Sequence, residues 1–253
     1  RSDVTKGHPE YYRDLAERLA RETPNSFLVN QFGNPANPRA HEETTAPEIW
    51  EQMDHDLDAV VCGVGTGGTL TGLSRYFARV APNVEMVLAD PAGSVLAEYV
   101  RTGRMPQEHG SWLVEGIGGD YVPPVADLGR VRSAYTIPDA ESFRTLRELL
   151  AKEGIMAGTS TGTLVAAALR YCREQTTPKR VVTLACDSGN KYLSKVYNDY
   201  WMLDQGFLER ERFGDLRDLI ARLHRERAAV TVNATEPVMA AYQIGSASCR
   251  ERG

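Results

Sequence analysis

Lysine and arginine are absent between Asp58 and Ser74, the stretch of this sequence densest in glycine and threonine. A nucleoside-triphosphate loop needs a lysine at that point, so this class of phosphate site is excluded. No apolar run reaches the length of a membrane span, and no signal-peptide pattern opens the chain. Basic residues are not in excess. A net charge of −5 with scattered Lys and Arg argues against nucleic acid or an anionic membrane as partner. Cysteine is sparse, and Cys62, Cys172, Cys186 and Cys249 show no paired spacing. That speaks for reduced thiols in a cytoplasmic protein, with no disulfide and no metal site. Methionine is missing at the start: the chain opens at Arg1 in polar sequence, as though cut from something longer.

What is present is organised around Asp58–Val80. Ala59 to Cys62 is a short apolar run that suits a buried strand, and Leu70, Leu73, Phe77 and Val80 recur at helical spacing. Between them lies a tight glycine turn. Strand, turn and helix together aim backbone N–H groups and the positive end of a helix dipole at a small anion. Glycine allows the backbone to close on that ligand, and the hydroxyls of Thr66 and Thr69 add donors. A second reading fits the same residues. Gly63, Gly65 and Gly68 match the dinucleotide fingerprint, and Asp90 ends the next strand near where a ribose-binding acid would stand. A third is a turn that only lets helix and strand pack closely.

Composition, 42% hydrophobic and 25% charged over 253 residues, allows one substantial core with a smaller appendage. Pro9–Glu22 reads as an amphipathic helix and Ser26–Val29 as a short strand, followed by a stiff loop, Gly33–Ala40, with two Asn-Pro pairs. Thr45 and Glu48 form a capping box for a helix through Met53, and His41 beside them reads as a surface histidine. Val84–Ala89 is a strand, Ser94–Arg101 a short helix, and Thr102–Tyr121 a long glycine-bearing loop of the kind that covers a site. Ala134–Ile137 reads as a strand, after which Asp139 caps a helix that stops at Gly154. A second glycine–threonine turn, Gly158–Thr163, opens the apolar segment Leu164–Leu169. Val181–Cys186 is a buried strand ending in Asp187-Ser188-Gly189-Asn190. Alternating strands and helices predict a mostly parallel sheet with ligands beyond the carboxyl ends of its strands, where all these polar turns fall. Asp215–Arg227 reads as a charged helix, and the last residues, 244–253, as a non-native tail without period or cap.

Five ordered segments then point to a family: NQFGNPANP, GVGTGGTLTG, VEGIGGDYVPP, AGTSTGTLVAAAL and CDSGNKYLSKVYNDYWMLDQGF. Together they resemble the pyridoxal-phosphate-dependent β-replacement enzymes of the cystathionine β-synthase and cysteine synthase type. The resemblance implies an α/β, tryptophan-synthase-β-like (fold type II) chain, a mostly parallel sheet with helices on both faces, truncated at the N-terminus. It implies pyridoxal 5'-phosphate as cofactor, held at its phosphate by Gly65, Thr66, Gly67, Gly68 and Thr69, with Ser160 facing the pyridine nitrogen. Gln31 then belongs near the substrate carboxylate, and Gly116, Ile117 and Gly118 to a mobile loop on the second-substrate side. Animal and yeast relatives usually carry Tyr where this chain has Gly119. Residues 1–32 would end a small domain and 33–208 form the large cofactor-binding domain. Residues 209–243 would open a regulatory module of the kind named after the synthase.

By the same resemblance the substrates are small amino acids: serine or O-acetylserine, with homocysteine or sulfide, in a likewise implied homodimer. The family's Schiff-base lysine sits in a Ser-x-Lys motif upstream of anything matched here. None of Lys6, Lys152, Lys179, Lys191 and Lys195 matches it. No catalytic residue is therefore expected in this chain, which is expected to be inactive alone. Serine facing the ring nitrogen suits β-elimination better than transamination, because it favours a protonated ring less than a carboxylate does.

Overall fold

The structure, a computed structural model, describes residue 8 and residues 10–208. Two compact units divide the chain, Arg1–Phe207 and Leu208–Gly253, and the elements below belong to the first. The expectations for residues 209–253 lie outside the described residues.

Strand β1 (Ala59–Cys62) is buried along its whole length and lies inside a parallel sheet of order β3-β2-β1-β4. It pairs with β2 (Glu85–Pro91) on one side, Val61 opposite Val87, and with β4 (Val181–Thr183) on the other. β3 (Val131–Ile137) adds to the far edge of β2. An apolar run with no polar alternation is what a strand covered on both faces requires. Val60, Cys62, Met86 and Leu88 meet Leu70, Leu73 and Phe77 of helix α4 (Gly68–Val80) in one cluster. Helix α7 (Thr159–Glu174) touches all four strands and pairs with α6 (Asp139–Glu153). Each fully buried Leu or Phe of α4 is worth ~1.5–3 kcal/mol, so this helix is fastened mainly by its apolar face.

Several expectations change in the structure. The helix α1 starts at Tyr12 rather than Pro9 and runs to Glu22. Ser26–Val29 forms no strand: Asn25 and Asn30 take positive φ at its ends, and Phe27 and Val29 are exposed without a neighbouring strand. The stiff loop Gly33–Ala40 contains a helix, α2 (Ala36–Ala40), where Asn34 Oδ1 accepts from the Ala36 N–H at 2.9 Å. Pro38 fits there because a first-turn residue has no intrahelical acceptor to lose. The capping box is not made. A π-helical turn, His41–Thr45, runs straight into α3 (Ala46–Gln52), and Thr45 hydrogen-bonds the His41 ring instead. Asp139 does not cap α6 either; Pro138 takes that position. The second-turn helix is longer than Leu164–Leu169, and β4 stops at Thr183, half-buried rather than buried. Helix α5 covers Leu96–Thr102, and no helix or strand occupies 103–130.

Gly72 lets α4 lie directly on the π-turn. A Cβ there would come within 2.4 Å of Pro38 O and 2.8 Å of Glu42 N, both backbone atoms that cannot rotate away. Alanine gains about 1 kcal/mol of helix propensity over glycine, but overpacking costs typically ~1–3 kcal/mol. The packing cost wins, so Gly72→Ala is expected to destabilise the first unit. Denaturant unfolding measures this, and a variant more stable than wild type would show the helices do not touch so closely.

Candidate functional site

The glycine turn after β1 is shaped by four neighbours. A Cβ on Gly63 would meet Ile117 at 2.7 Å, on Gly65 the Gly116 carbonyl at 2.3 Å, and on Gly67 the Ala126 side chain at 2.4 Å. On Gly68 it would meet Asn37 Oδ1 at 1.9 Å. Gly67 also stands at φ +89°, in the left-handed region, as the residue that caps α4. The first N–H groups of that helix have no intrahelical acceptor and carry its positive dipole end.

A cavity of about 240 Å³ opens at this turn, lined by Gly65, Thr66, Gly67, Thr69, Ile117 and Cys186 among others. It thus gathers the carboxyl end of β1, the 116–118 loop and the segment after β4. The glycine turn offers it backbone and hydroxyl, Ile117, Leu164, Leu184 and two cysteines line the rest, and no cation is among them. That suits a phosphate ester held by N–H and O–H groups of the turn. These residues fit the cofactor implied by the sequence. Gly116 and Ile117 also line an adjoining hollow of about 650 Å³, together with Gly118, Trp112, Tyr121 and His109. Arg13 lies against two of the rings that line it, its guanidinium 4.6 Å from the Phe32 ring centre and 5.4 Å from that of Tyr121.

Ser160 sits in the first turn of α7, buried, and is not part of the cavity lining. Burial pushes the Cys62 thiol up to about 12, and partial desolvation raises that of Cys186, an exposed residue, so neither is a ready thiolate. Gln31 stands apart. It is exposed and lines a separate hollow of about 150 Å³ with Tyr12 and Phe32. Its backbone is nonetheless tied to the cavity, because Asn37 Nδ2 lies 2.8 Å from Gln31 O and 2.9 Å from Thr66 Oγ1. His41 is half-buried, not a surface residue. Its Nδ1 is 3.0 Å from Thr45 Oγ1 and its Nε2 3.2 Å from Thr69 Oγ1, and burial lowers its pKa.

The 116–118 loop and the residues leading into it make hydrogen bonds to several elements. Asp139 accepts from the N–H groups of Leu113 and Val114, and Thr159 Oγ1 accepts from Glu115 N–H at 2.9 Å. Trp112 Nε1 donates to Ile117 O at 3.0 Å, and Gly118 N–H to Val64 O at 2.9 Å. Lys195 pairs with Glu115 across the outside. Cys62, Cys186, Leu164, Leu184 and His41 are the site residues that sequence reasoning passed over, and Asn37 comes from the asparagine-rich loop read as able to grip a carboxylate.

The family described as "Pyridoxal-phosphate dependent enzyme" matches residues 3–187. The cystathionine beta-synthase of Oryctolagus cuniculus is 38% identical over 227 residues, 90% of this chain and 41% of that protein. That of Apis mellifera is 37% identical over 79% of this chain and 39% of its own length. Cysteine synthase A of Escherichia coli K12 is 39% identical over 71% of this chain and 56% of its own length. The chain thus spans about two fifths of the first two and little over half of the third.

The dinucleotide reading of Asp90 has no support in this arrangement. Asp90 is fully buried at the end of β2, where its Oδ2 accepts from the Ala97 N–H at 2.8 Å and so serves the start of α5. Burial pushes this carboxyl up to about 6 from an ordinary 3.8, against the hydrogen bonds that favour its charge. Between those values the folded protein keeps a proton that the unfolded chain has released. Stability therefore falls as pH rises from about 4 to about 6. Asp90→Asn removes that term. Relative to wild type it should gain on the order of 1–3 kcal/mol between pH ~4 and pH ~7 in chemical denaturation. A stability difference that stays constant across this range would mean Asp90 is charged in the fold at both ends.

Proposed function

The chain belongs to the pyridoxal-phosphate-dependent enzymes, and from that premise we propose that it carries the cofactor-binding core of a cystathionine β-synthase, which joins serine to homocysteine. The observation that carries this reading is the convergence of Gly65–Thr69, Gly116–Ile117 and Cys186 on one cation-free cavity. Gly65 to Thr69 hold the cofactor phosphate through backbone N–H groups and two hydroxyls. Ser160 offers the ring nitrogen a neutral hydrogen-bond partner. Gln31, whose side chain lines the separate hollow beside Tyr12 and Phe32, serves the substrate carboxylate only by turning toward the cavity, and Gly116 to Gly118 border the thiol. When bound, pyridoxal phosphate supplies an electron sink that acidifies an amino acid's α-proton and lets a β-substituent leave. A hydroxyl at Ser160 does not favour a charged ring as a carboxylate would, which suits departure of a β-group over transamination. The Asp139, Thr159 and Trp112 contacts hold the loop that keeps water off the reacting carbons.

A second reading within the family is cysteine synthase, acting on O-acetylserine and sulfide, supported by the cysteine synthase relatives. The alignment to the rabbit synthase extends over more of this chain, and that favours the first.

The four described lysines each stand by a carboxylate: Lys152 by Glu148, Lys179 by Asp58, Lys191 by Asp187 and Lys195 by Glu115. None lines the cavity. We infer that none of them forms the Schiff base and that this chain has no turnover by itself.

The test uses two proteins, the full-length gene product containing this segment and the 253-residue chain alone. Each is offered serine with homocysteine and, separately, O-acetylserine with sulfide in the presence of pyridoxal phosphate. The full-length protein is expected to make cystathionine as its faster reaction, and the chain alone nothing above the free cofactor's rate. Faster cysteine formation would select the second reading. Turnover by the chain alone would place the lysine among the five it contains.

A further inference from the structure

Thr66 has a hydroxyl with one way left to point. Its Oγ1 lies 2.9 Å from Asn37 Nδ2 and 3.3 Å from the Gly68 N–H. The same Asn37 Nδ2 lies 2.8 Å from Gln31 O. A carbonyl oxygen only accepts, so the Gln31 contact fixes which end of the amide is the NH2 group; the flipped amide would set two acceptors face to face. Both Asn37 hydrogens are thereby donated, one to Gln31 O and one to Thr66 Oγ1. With a second donor arriving from Gly68, both lone pairs of the Thr66 oxygen are taken. Its own hydrogen is then free to be given only elsewhere, and Thr66 lines the cavity. The amide cannot swing out of this arrangement easily. Asn37 Oδ1 occupies the place a side chain on Gly68 would need, 1.9 Å from that Cβ position.

We propose that Asn37 is a positioning residue for anion binding. By filling the acceptor side of the Thr66 oxygen, it turns the hydroxyl hydrogen into the cavity, toward an oxygen of a phosphate monoester. This rests on the reading of Gly65–Thr69 as the phosphate cradle. It adds a residue from α2 that touches no ligand and acts through Thr66. It also links two parts of the site, since the amide that orients Thr66 holds the backbone of Gln31. A hydroxyl set in advance as a donor need not reorganise when the anion arrives, which is where preorganised donors gain their strength.

The experiment measures binding of pyridoxine 5'-phosphate to the full 253-residue chain, with phosphate-free pyridoxine as control. Neither ligand has an aldehyde to react with lysines. Asn37→Leu keeps the bulk and removes both donors, and Asn37→Ala replaces it should leucine unfold the chain. The phosphate ester is expected to bind roughly ten- to hundred-fold more weakly, as for loss of one hydrogen bond to a charged group, and pyridoxine unchanged. Thr66→Val should cost about as much, and the double variant no more than either single one. Unchanged binding in Thr66→Val would overturn the cradle reading and this proposal with it. Weakened binding in Thr66→Val but not in the Asn37 variants would leave the cradle standing and overturn the role of Asn37. Losses that multiply in the double variant, or that fall equally on pyridoxine, would mean that Asn37 does not act through Thr66.

Discussion

The site depends on four places where no Cβ fits. Gly63 and Gly65 press against the loop at Ile117 and Gly116, Gly67 against Ala126 and Gly68 against Asn37. A side chain at any one would push apart two segments far removed in sequence. That constraint, rather than any ion pair, brings the loop after β1, the 116–118 loop and α2 to a common wall. It also explains the missing cation. A cradle closed so tightly around backbone N–H groups has little room for a lysine stem, and its positive character comes from the start of α4 instead.

The sheet behind the cradle is rigid for ordinary reasons. β1 is buried on both faces, with α4 against one and α7 against the other. Helices α6 and α7 approach so closely that a Cβ on Gly162 would lie 2.1 Å from Ser142 O, and the buried Ser142 and Thr163 hydroxyls bond across the gap. A wall fixed in this way lets short loops carry the chemistry. Asp139 illustrates the division of labour. It stands in the first turn of α6, yet its carboxylate is spent on the N–H groups of Leu113 and Val114 and so anchors the loop that borders the cavity.

What was legible beforehand follows the range of the interactions involved. The strand, turn and helix of Ala59–Val80 announce themselves because hydrophobic period and glycine density are local signals. Helix ends at Gly154 were equally readable, since a left-handed glycine needs only its own neighbours. The region Ser26–Thr45 was misread for the opposite reason. Its proline-rich text looks like a loop, but packing against α4 draws residues 36–45 into helical and π-helical turns. Asn37 and His41 reach the glycine turn through contacts 29 and 28 residues away in sequence, and Cys186 lines the same cavity as Cys62, 124 residues before it. Asn37 and Cys186 stand in segments that carry the family resemblance, but nothing beside them in the sequence says which residues they touch. A half-buried polar residue beside a tightly packed glycine is visible only once the fold has brought the two together.

The most direct test is a crystal structure of the full-length protein with pyridoxal phosphate bound. The account predicts phosphate oxygens at about 2.7–3.1 Å from N–H groups between Gly65 and Thr69 and from Thr66 Oγ1. A phosphate seated instead in the larger hollow beside His109 and Trp112, with the glycine turn bare, would contradict it.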